Sequence, residues 1–340
     1  MNIVATAASA VERLPLPDAM TRAGIALLVD RTARKLRTTQ PGMERDFAHA
    51  MSAFPIAERP DAANAQHYEL PPEFFGLVLG PRRKYSCCLY EDGFTLAQAE
   101  ELALAETARH ADLRDGQRIL ELGCGWGSLS LWMAEHLPGA RITAVSNSAG
   151  QRAFIEAEAA RKGLTNLTII TADMNDFDIG EQFDRVVSVE MWEHMSNWQA
   201  LLGRVRRWLV PDGRLFLHVF SHRSTPYHFD TADKADWIAQ HFFTGGIMPS
   251  HGLIRHLDTD FTLEAEWRWS GEHYSRTAED WLKNYDRNSA AADAVLRDVY
   301  GADAGLWKRR WRLFFLATAG LFGARDGTEW GVSHYQLKPR

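Results

Sequence analysis

Residues 118–127 read Arg-Ile-Leu-Glu-Leu-Gly-Cys-Gly-Trp-Gly, and this run constrains the chain more than any other. Ile119, Leu120 and Leu122 predict a buried strand. Gly123, Gly125 and Gly127 follow at every second position. Glycine permits the sharp turn out of a strand, and a side chain there would hold a ligand away from the backbone amides. The spacing is G-x-G-x-G rather than the G-x-G-x-x-G of dinucleotide enzymes, because Ser128 stands where no glycine is required. Glu121 precedes the first glycine by two residues. A strand, a glycine turn and a helix in that order predict a nucleotide-type ligand at the end of a parallel sheet.

The pattern downstream agrees. Strands are expected at Arg118–Leu122, Arg141–Ser146, Leu167–Ala172, Phe183–Val189 and Arg214–Phe220. Helices are expected at Ser128–His136, Ala149–Lys162 and Trp198–Leu209. This alternation predicts an α/β fold, a parallel sheet wrapped by helices. A helix at Leu96–Ala111 precedes it. Four segments follow: a helical N-terminal extension (1–75) punctuated by Pro55, Pro60, Pro71 and Pro72, a nucleotide-binding core (76–220), an α-helical and aromatic insert after the fifth strand (221–325), and a returning strand and tail (326–340). Within the insert, a polar and aromatic stretch runs to about Asp258, and helices are expected near Ala278–Arg287 and Gly305–Phe322. All twelve tryptophans lie at or after Trp126, which suggests an aromatic pocket in the C-terminal half.

Composition narrows the function. The 340 residues carry a formal charge of -6 and a pI of about 6.1, so nothing points to a nucleic-acid partner. Cys87, Cys88 and Cys124 offer no C-x-x-C spacing, and no histidine pair has a metal spacing backed by an acid, so no metal is expected. The expected compartment is the reducing cytoplasm. Met1–Pro15 lacks the basic start of a signal peptide, and no apolar run approaches a membrane span. The stretch Thr21–Leu36 is amphipathic and basic; an exposed face explains it better than membrane contact does.

The second strand ends Val145-Ser146-Asn147-Ser148 without the carboxylate that dinucleotide enzymes use for ribose. Ribose contacts therefore fall to Ser146, Asn147 or Gln151. Asp173, closing the third strand, is placed either to accept from an adenine amino group or to cap a turn. Lys84-Tyr85-Ser86-Cys87-Cys88 forms a polar cluster ahead of the core. After the fourth strand comes Glu190-Met191-Trp192-Glu193-His194. If that run turns helical, Glu190 and His194 share one face with Glu193 adjacent, and the three groups perturb one another's protonation.

These segments, with Asp236–Ser250 and Glu329-Trp330, resemble the cyclopropane-fatty-acid synthase family of class I S-adenosylmethionine (SAM)-dependent methyltransferases. Within it they resemble the coclaurine N-methyltransferase branch. The resemblance runs from about Tyr68 to Leu337 and implies a Rossmann-like sheet with SAM as cofactor. It implies that Tyr85, Ser86, Gly123, Gly125, Ser146, Asn147, Gln151 and Asp173 line the cofactor site, and that Glu190, Glu193 and His194 are catalytic. His218, Tyr227, Phe242, Phe243, Trp269, Tyr274 and Phe314 are candidates for the acceptor pocket, with Gly245-Gly246 as a hinge. The lipid enzymes of this family hold a bicarbonate base through a Glu, a His and a Tyr. Glu193 and His218 match the first two, but the late helix reads Trp311-Arg312-Leu313-Phe314-Phe315, without tyrosine. A buried anion lacking one donor is destabilised by roughly 1–3 kcal/mol. That departure and the added Glu190 carboxylate favour a protein base and a small amine acceptor over an acyl chain. A homodimer is compatible with this reading.

Overall fold

A computed structural model describes residues 12, 16–37, 42–58, 70–229, 232 and 237–340. Most of Met1–Pro15, with Pro60, Tyr68 and Asp236, lies outside the described residues. Helix α1 (Asp18–Arg37), α2 (Met43–Ala50) and α3 (Pro72–Val78) lead to α4 (Leu96–His110). Thr95 caps α4 by accepting from the Gln98 amide, and Gln98 returns the bond to the Thr95 amide. Then come β1 (Arg118–Leu122), α5 (Ser128–His136), β2 (Arg141–Ser146), α6 (Ala149–Lys162), β3 (Leu167–Thr171), β4 (Phe183–Val189), α7 (Trp198–Trp208) and β5 (Leu209–His222).

Seven strands form one sheet in the order β3-β2-β1-β4-β5-β9-β8. The first five run parallel, whereas β9 (Trp330–Pro339) is antiparallel to both β5 and β8 (Phe261–Ser270). Four of the five β1 side chains are buried, as expected for a central parallel strand covered on both faces. Strand order reverses at β1, between β2 and β4, and that switch point opens a crevice at the carboxyl ends of the strands.

The expected core strands and helices are all present within a few residues, and the tail does return as a strand. The insert departs from expectation. It holds a small ribbon, β6 (Tyr227–His228) and β7 (Ile247–Met248), a short helix α8 (Trp237–His241), and the ten-residue edge strand β8 in place of loop. As the outer strand it keeps Thr262 and Arg268 exposed, so charged and aromatic residues mix along it and blur the period-two signal. Helix α9 (Gly271–Arg287) begins seven residues before the expected start, capped by Ser270 accepting from the Glu272 amide. Helix α10 (Ser289–Tyr300) was not expected, and α11 (Ala304–Phe322) matches its forecast.

Trp192, Trp198, Trp208, Trp281, Trp311 and Trp330 are each under 2 % exposed, so half of the twelve are sealed core. On α1, Arg22 pairs with Glu279, Arg34 with Asp30 and Arg37 with Glu329. Its cations are therefore largely committed to carboxylates of this chain. No helix among the described residues is long and apolar enough to cross a membrane.

Candidate active site

The crevice at the switch point encloses about 750 Å³, part of it open to solvent. Gly123, Gly125, Val145, Ser146, Asn147, Gln151, Asp173, Glu190, Met191, His194 and Thr244 are among its walls. Six of the eight expected cofactor residues therefore converge there. Tyr85 and Ser86 are not part of this lining. Tyr85 packs against Phe75 and Trp281, and Ser86 accepts a hydrogen bond from Lys84 Nζ.

The glycine turn works differently from the sequence reading. The Gly123 and Cys124 amides both donate to the Val145 carbonyl, and the Gly127 amide donates to Cys124 O. Those donors are already committed to the fold. What the turn offers a ligand is absence of bulk. Gly123 sits at φ +77°, and a Cβ there would lie 2.5 Å from Cγ of Met191. Gly125, at φ +52°, faces open space.

Polar groups around the crevice fit a nucleoside. Ser146 Oγ donates to Gln151 Oε1 over 2.6 Å and accepts from the Ser148 amide. Gln151 is thereby fixed, 1 % exposed, with its buried Nε2 lacking any partner. An orphaned donor at that depth is unfavourable by about 1–3 kcal/mol unless a ligand accepts from it. Asp173 bears out the turn reading. It accepts from the Asn175 amide at 2.7 Å, as a turn residue does, and it still lines the crevice.

The acidic segment is not an α-helix. Glu190 adopts φ +48°, in the left-handed region, at an expected strain of roughly 1–3 kcal/mol. A single 3-10 turn, Trp192–His194, follows. Without the helix, Glu190 and His194 still both line the crevice, while Glu193 turns into the core. Glu190 Oε1 accepts from the Cys87 amide at 2.9 Å and lies 3.1 Å from His218 Nε2; Oε2 accepts from Tyr274 Oη at 2.6 Å. Burial pushes its carboxyl up, while the nearby Lys84 ammonium and the Tyr274 hydrogen bond oppose that shift. Glu193 is fully buried. Its Oε1 accepts from the Phe220 amide at 2.6 Å, and its Oε2 has no partner. Burial and the adjacent Glu190 charge push this carboxyl well above the carboxylate range. His194 reaches the crevice and stacks on Phe243, ring centres 4.3 Å apart.

Other expected pocket residues are not part of this lining, with Tyr227 and Phe314 half-buried against the core. Phe242 is fully buried, stacked on Phe314 at 4.4 Å. Tyr227 Oη accepts from the Trp330 indole, and Trp269 lies edge-on to His218. Tyr274 is near the crevice, but as the hydroxyl donor to Glu190. Sequence reasoning also missed Lys84 as a countercharge: it is 2 % exposed. The local sequence gives little sign of this, because Lys84 follows Arg82 and Arg83 and reads as part of a basic run.

A switch-point crevice with a bulk-free glycine turn, an orphaned amide donor and a buried carboxylate at its rim defines a class I SAM-dependent methyltransferase. The chain belongs to the mycolic acid cyclopropane synthetase family, whose match spans residues 57–327. It is 33 % identical over 301 residues to (S)-coclaurine N-methyltransferase of Thalictrum flavum subsp. glaucum, covering 87 % of this chain and 83 % of that one. The crystal structure of coclaurine N-methyltransferase bound to N-methylheliamine and SAH superposes with a TM-score of 0.89 at 32 % identity, covering 96 % of each chain. A cyclopropane synthase from Mycobacterium tuberculosis shares the fold, with a TM-score of 0.70 at 23 % identity, over 83 % of this chain and 99 % of the other.

Proposed function

We propose that the protein methylates the nitrogen of a small amine of the tetrahydroisoquinoline type, with Glu190 as the base. One observation carries this reading: a buried carboxylate, held by Tyr274, the Cys87 amide and His218, stands at the wall of the cofactor crevice. A protein-borne base suits an acceptor that must lose a proton before it can attack.

SAM supplies an electrophilic methyl group. Ser146, Asn147, Gln151 and Asp173 would hold its nucleoside, and Gly123 and Gly125 would admit it by lacking side chains. At neutral pH most alkylamines are protonated and have no lone pair to offer. Glu190 removes that proton. Its raised affinity for a proton suits the task, because a base works best near the operating pH. Tyr274 and the Cys87 amide fix the carboxylate's direction. Glu193, tied to the Phe220 amide, supports the turn that carries His194, which borders the crevice and orients the acceptor. Alignment and exclusion of water do the remaining work.

In the same reading residues 221–325 form the acceptor-binding unit, since Tyr274 and Phe243 reach the site from it. The reducing cytoplasm is the compartment, supported by three buried free thiols at Cys87, Cys88 and Cys124. The test is incubation with isotope-labelled SAM and two panels, cyclic amines and unsaturated phospholipids, read by mass spectrometry. Label on an amine nitrogen supports the proposal. Label confined to acyl chains replaces it with carbon methylation.

A further inference from the structure

Behind Glu190, on the side away from the crevice, three imidazoles form a continuous hydrogen-bonded chain across the sheet. His218 on β5 approaches Glu190 Oε1 with Nε2 at 3.1 Å. Its Nδ1 lies 2.9 Å from Nε2 of His334, its direct cross-strand partner on β9. His334 Nδ1 lies 2.7 Å from Nδ1 of His110, the last residue of α4. His110 Nε2 meets the Arg109 guanidinium at 2.7 Å. His218 and His334 are fully buried, and His110 is 3 % exposed. Trp267 stacks on His110 at 3.8 Å, and Trp269 covers His334 at 4.3 Å.

The two ends of this chain fix its direction. A guanidinium only donates, so toward Arg109 His110 Nε2 accepts and Nδ1 carries the proton; the Glu106 carboxylate, farther from that nitrogen at 3.5 Å, is itself bonded to Arg109. His334 Nδ1 then accepts and its Nε2 donates; His218 Nδ1 accepts and its Nε2 donates. The final N–H points at Glu190, and an ionised carboxylate only accepts. A chain of neutral rings satisfies every contact with no proton left over. Burial disfavours the charged form of all three rings, which agrees with neutrality.

We propose that His334 and His110 are positioning residues for Glu190: they lock His218 in the tautomer that donates to the carboxylate, and so hold Glu190 ionised and aimed. The inference rests on Glu190 being the base. Other groups facing Glu190 are the Lys84 ammonium, the Cys87 amide and thiol, the Glu193 carboxyl and the Tyr274 hydroxyl. Those facing the outer end are Arg109 and Glu106, already paired with each other at 2.7 Å. Lys84 and Tyr274 act on Glu190 whichever tautomer His218 adopts. The imidazole chain works on His218 instead, by adding to the carboxylate's own preference for a proton on Nε2. A lone pair facing the carboxylate would be repulsive and would favour protonated Glu190.

The test is NMR on the full chain loaded with SAH, with ¹⁵N-histidine and ¹³C-carboxyl glutamate labels. The expected wild-type spectrum has His218 and His334 protonated at Nε2 and His110 at Nδ1. In His334→Phe, His218 is expected to populate both tautomers, and the Glu190 titration midpoint to rise by about one pH unit. His334→Gln is expected to restore the midpoint, because an amide accepts and donates at nearly the imidazole spacing. Arg109→Met, an exposed change, should move it in the same direction by less. Wild-type His218 protonated at Nδ1 overturns the proposal, as does an unmoved midpoint in a folded His334→Phe or Arg109→Met variant. None of these readouts needs a methyl acceptor. Failure of the amine assay alone would therefore count against the base assignment and leave the chain's geometry standing.

Discussion

Tyr274 Oη lies 2.6 Å from Oε2 of Glu190, joining a residue of the late insert to one that closes the fourth core strand. The two are 84 positions apart, and neither position alone reveals the contact. It supplies a phenol to the site from α9, although the late helix α11 carries no tyrosine. Tyr274→Phe should remove a hydrogen bond to a charged group, worth about 1.5–3 kcal/mol. The expected result is a 10- to 100-fold loss in kcat/KM, with the acid side of the pH profile moved upward because Glu190 loses a donor. Steady-state kinetics between pH 6 and 9 check both parts, and an unmoved profile would remove Tyr274 from control of the base.

Gln151 Nε2 is a buried donor without a protein acceptor. Gln151→Leu should therefore weaken SAM and SAH binding by roughly tenfold, the worth of about one hydrogen bond. The free enzyme should also lose about 1 kcal/mol of stability, because the buried Ser146 hydroxyl loses its acceptor, Gln151 Oε1. Calorimetry with SAH and a thermal melt of the unliganded protein separate the two effects. A large fall in Tm with unchanged affinity would make Gln151 structural.

Gly123→Ala combines a left-handed φ with a Cβ 2.5 Å from Met191 Cγ. The backbone term is about 1–2 kcal/mol, and Met191 must swing within the crevice it lines. We expect a lower Tm and at least a tenfold loss of SAH affinity. Gly125→Ala carries the strain without the collision in the unliganded protein. Its loss should appear mainly on binding, in the same calorimetric assay.

Glu121 is buried, bonded to Ser130 Oγ, and its carboxyl is pushed up to about 7 by desolvation. The unfolded chain ionises it near its ordinary value of 4.5. The folded state thus binds more protons between those values, and stability falls as pH rises through that window. The full penalty above pH 7 is about 3 kcal/mol from a shift of that size. Glu121→Gln should be most stabilising, relative to wild type, at pH 8 and least so near pH 4.5. Denaturant melts across that range check the slope, and a difference independent of pH would refute the account.

The sequence by itself determined the parallel core and the site of the crevice. Alternating apolar runs with glycine at the strand–helix turn leave little choice of topology, because both signals are local. Ser146, Asn147, Gln151, Asp173 and the Glu190–His194 run were legible for that reason: each closes a strand or opens a helix at the same sheet edge. Tertiary structure alone decided what those residues meet. The left-handed Glu190 replaced the expected helix with a tight turn that keeps Glu190 and His194 at the crevice and buries Glu193. The edge strand β8 was hidden by its mixed polarity, and β9 brought His334 beside His218 across 116 positions. Hydrogen bonds and protonation depend on spatial neighbours and on exclusion of water. Neither has a period along the chain, so what each carboxyl meets was settled only once the sheet closed over them.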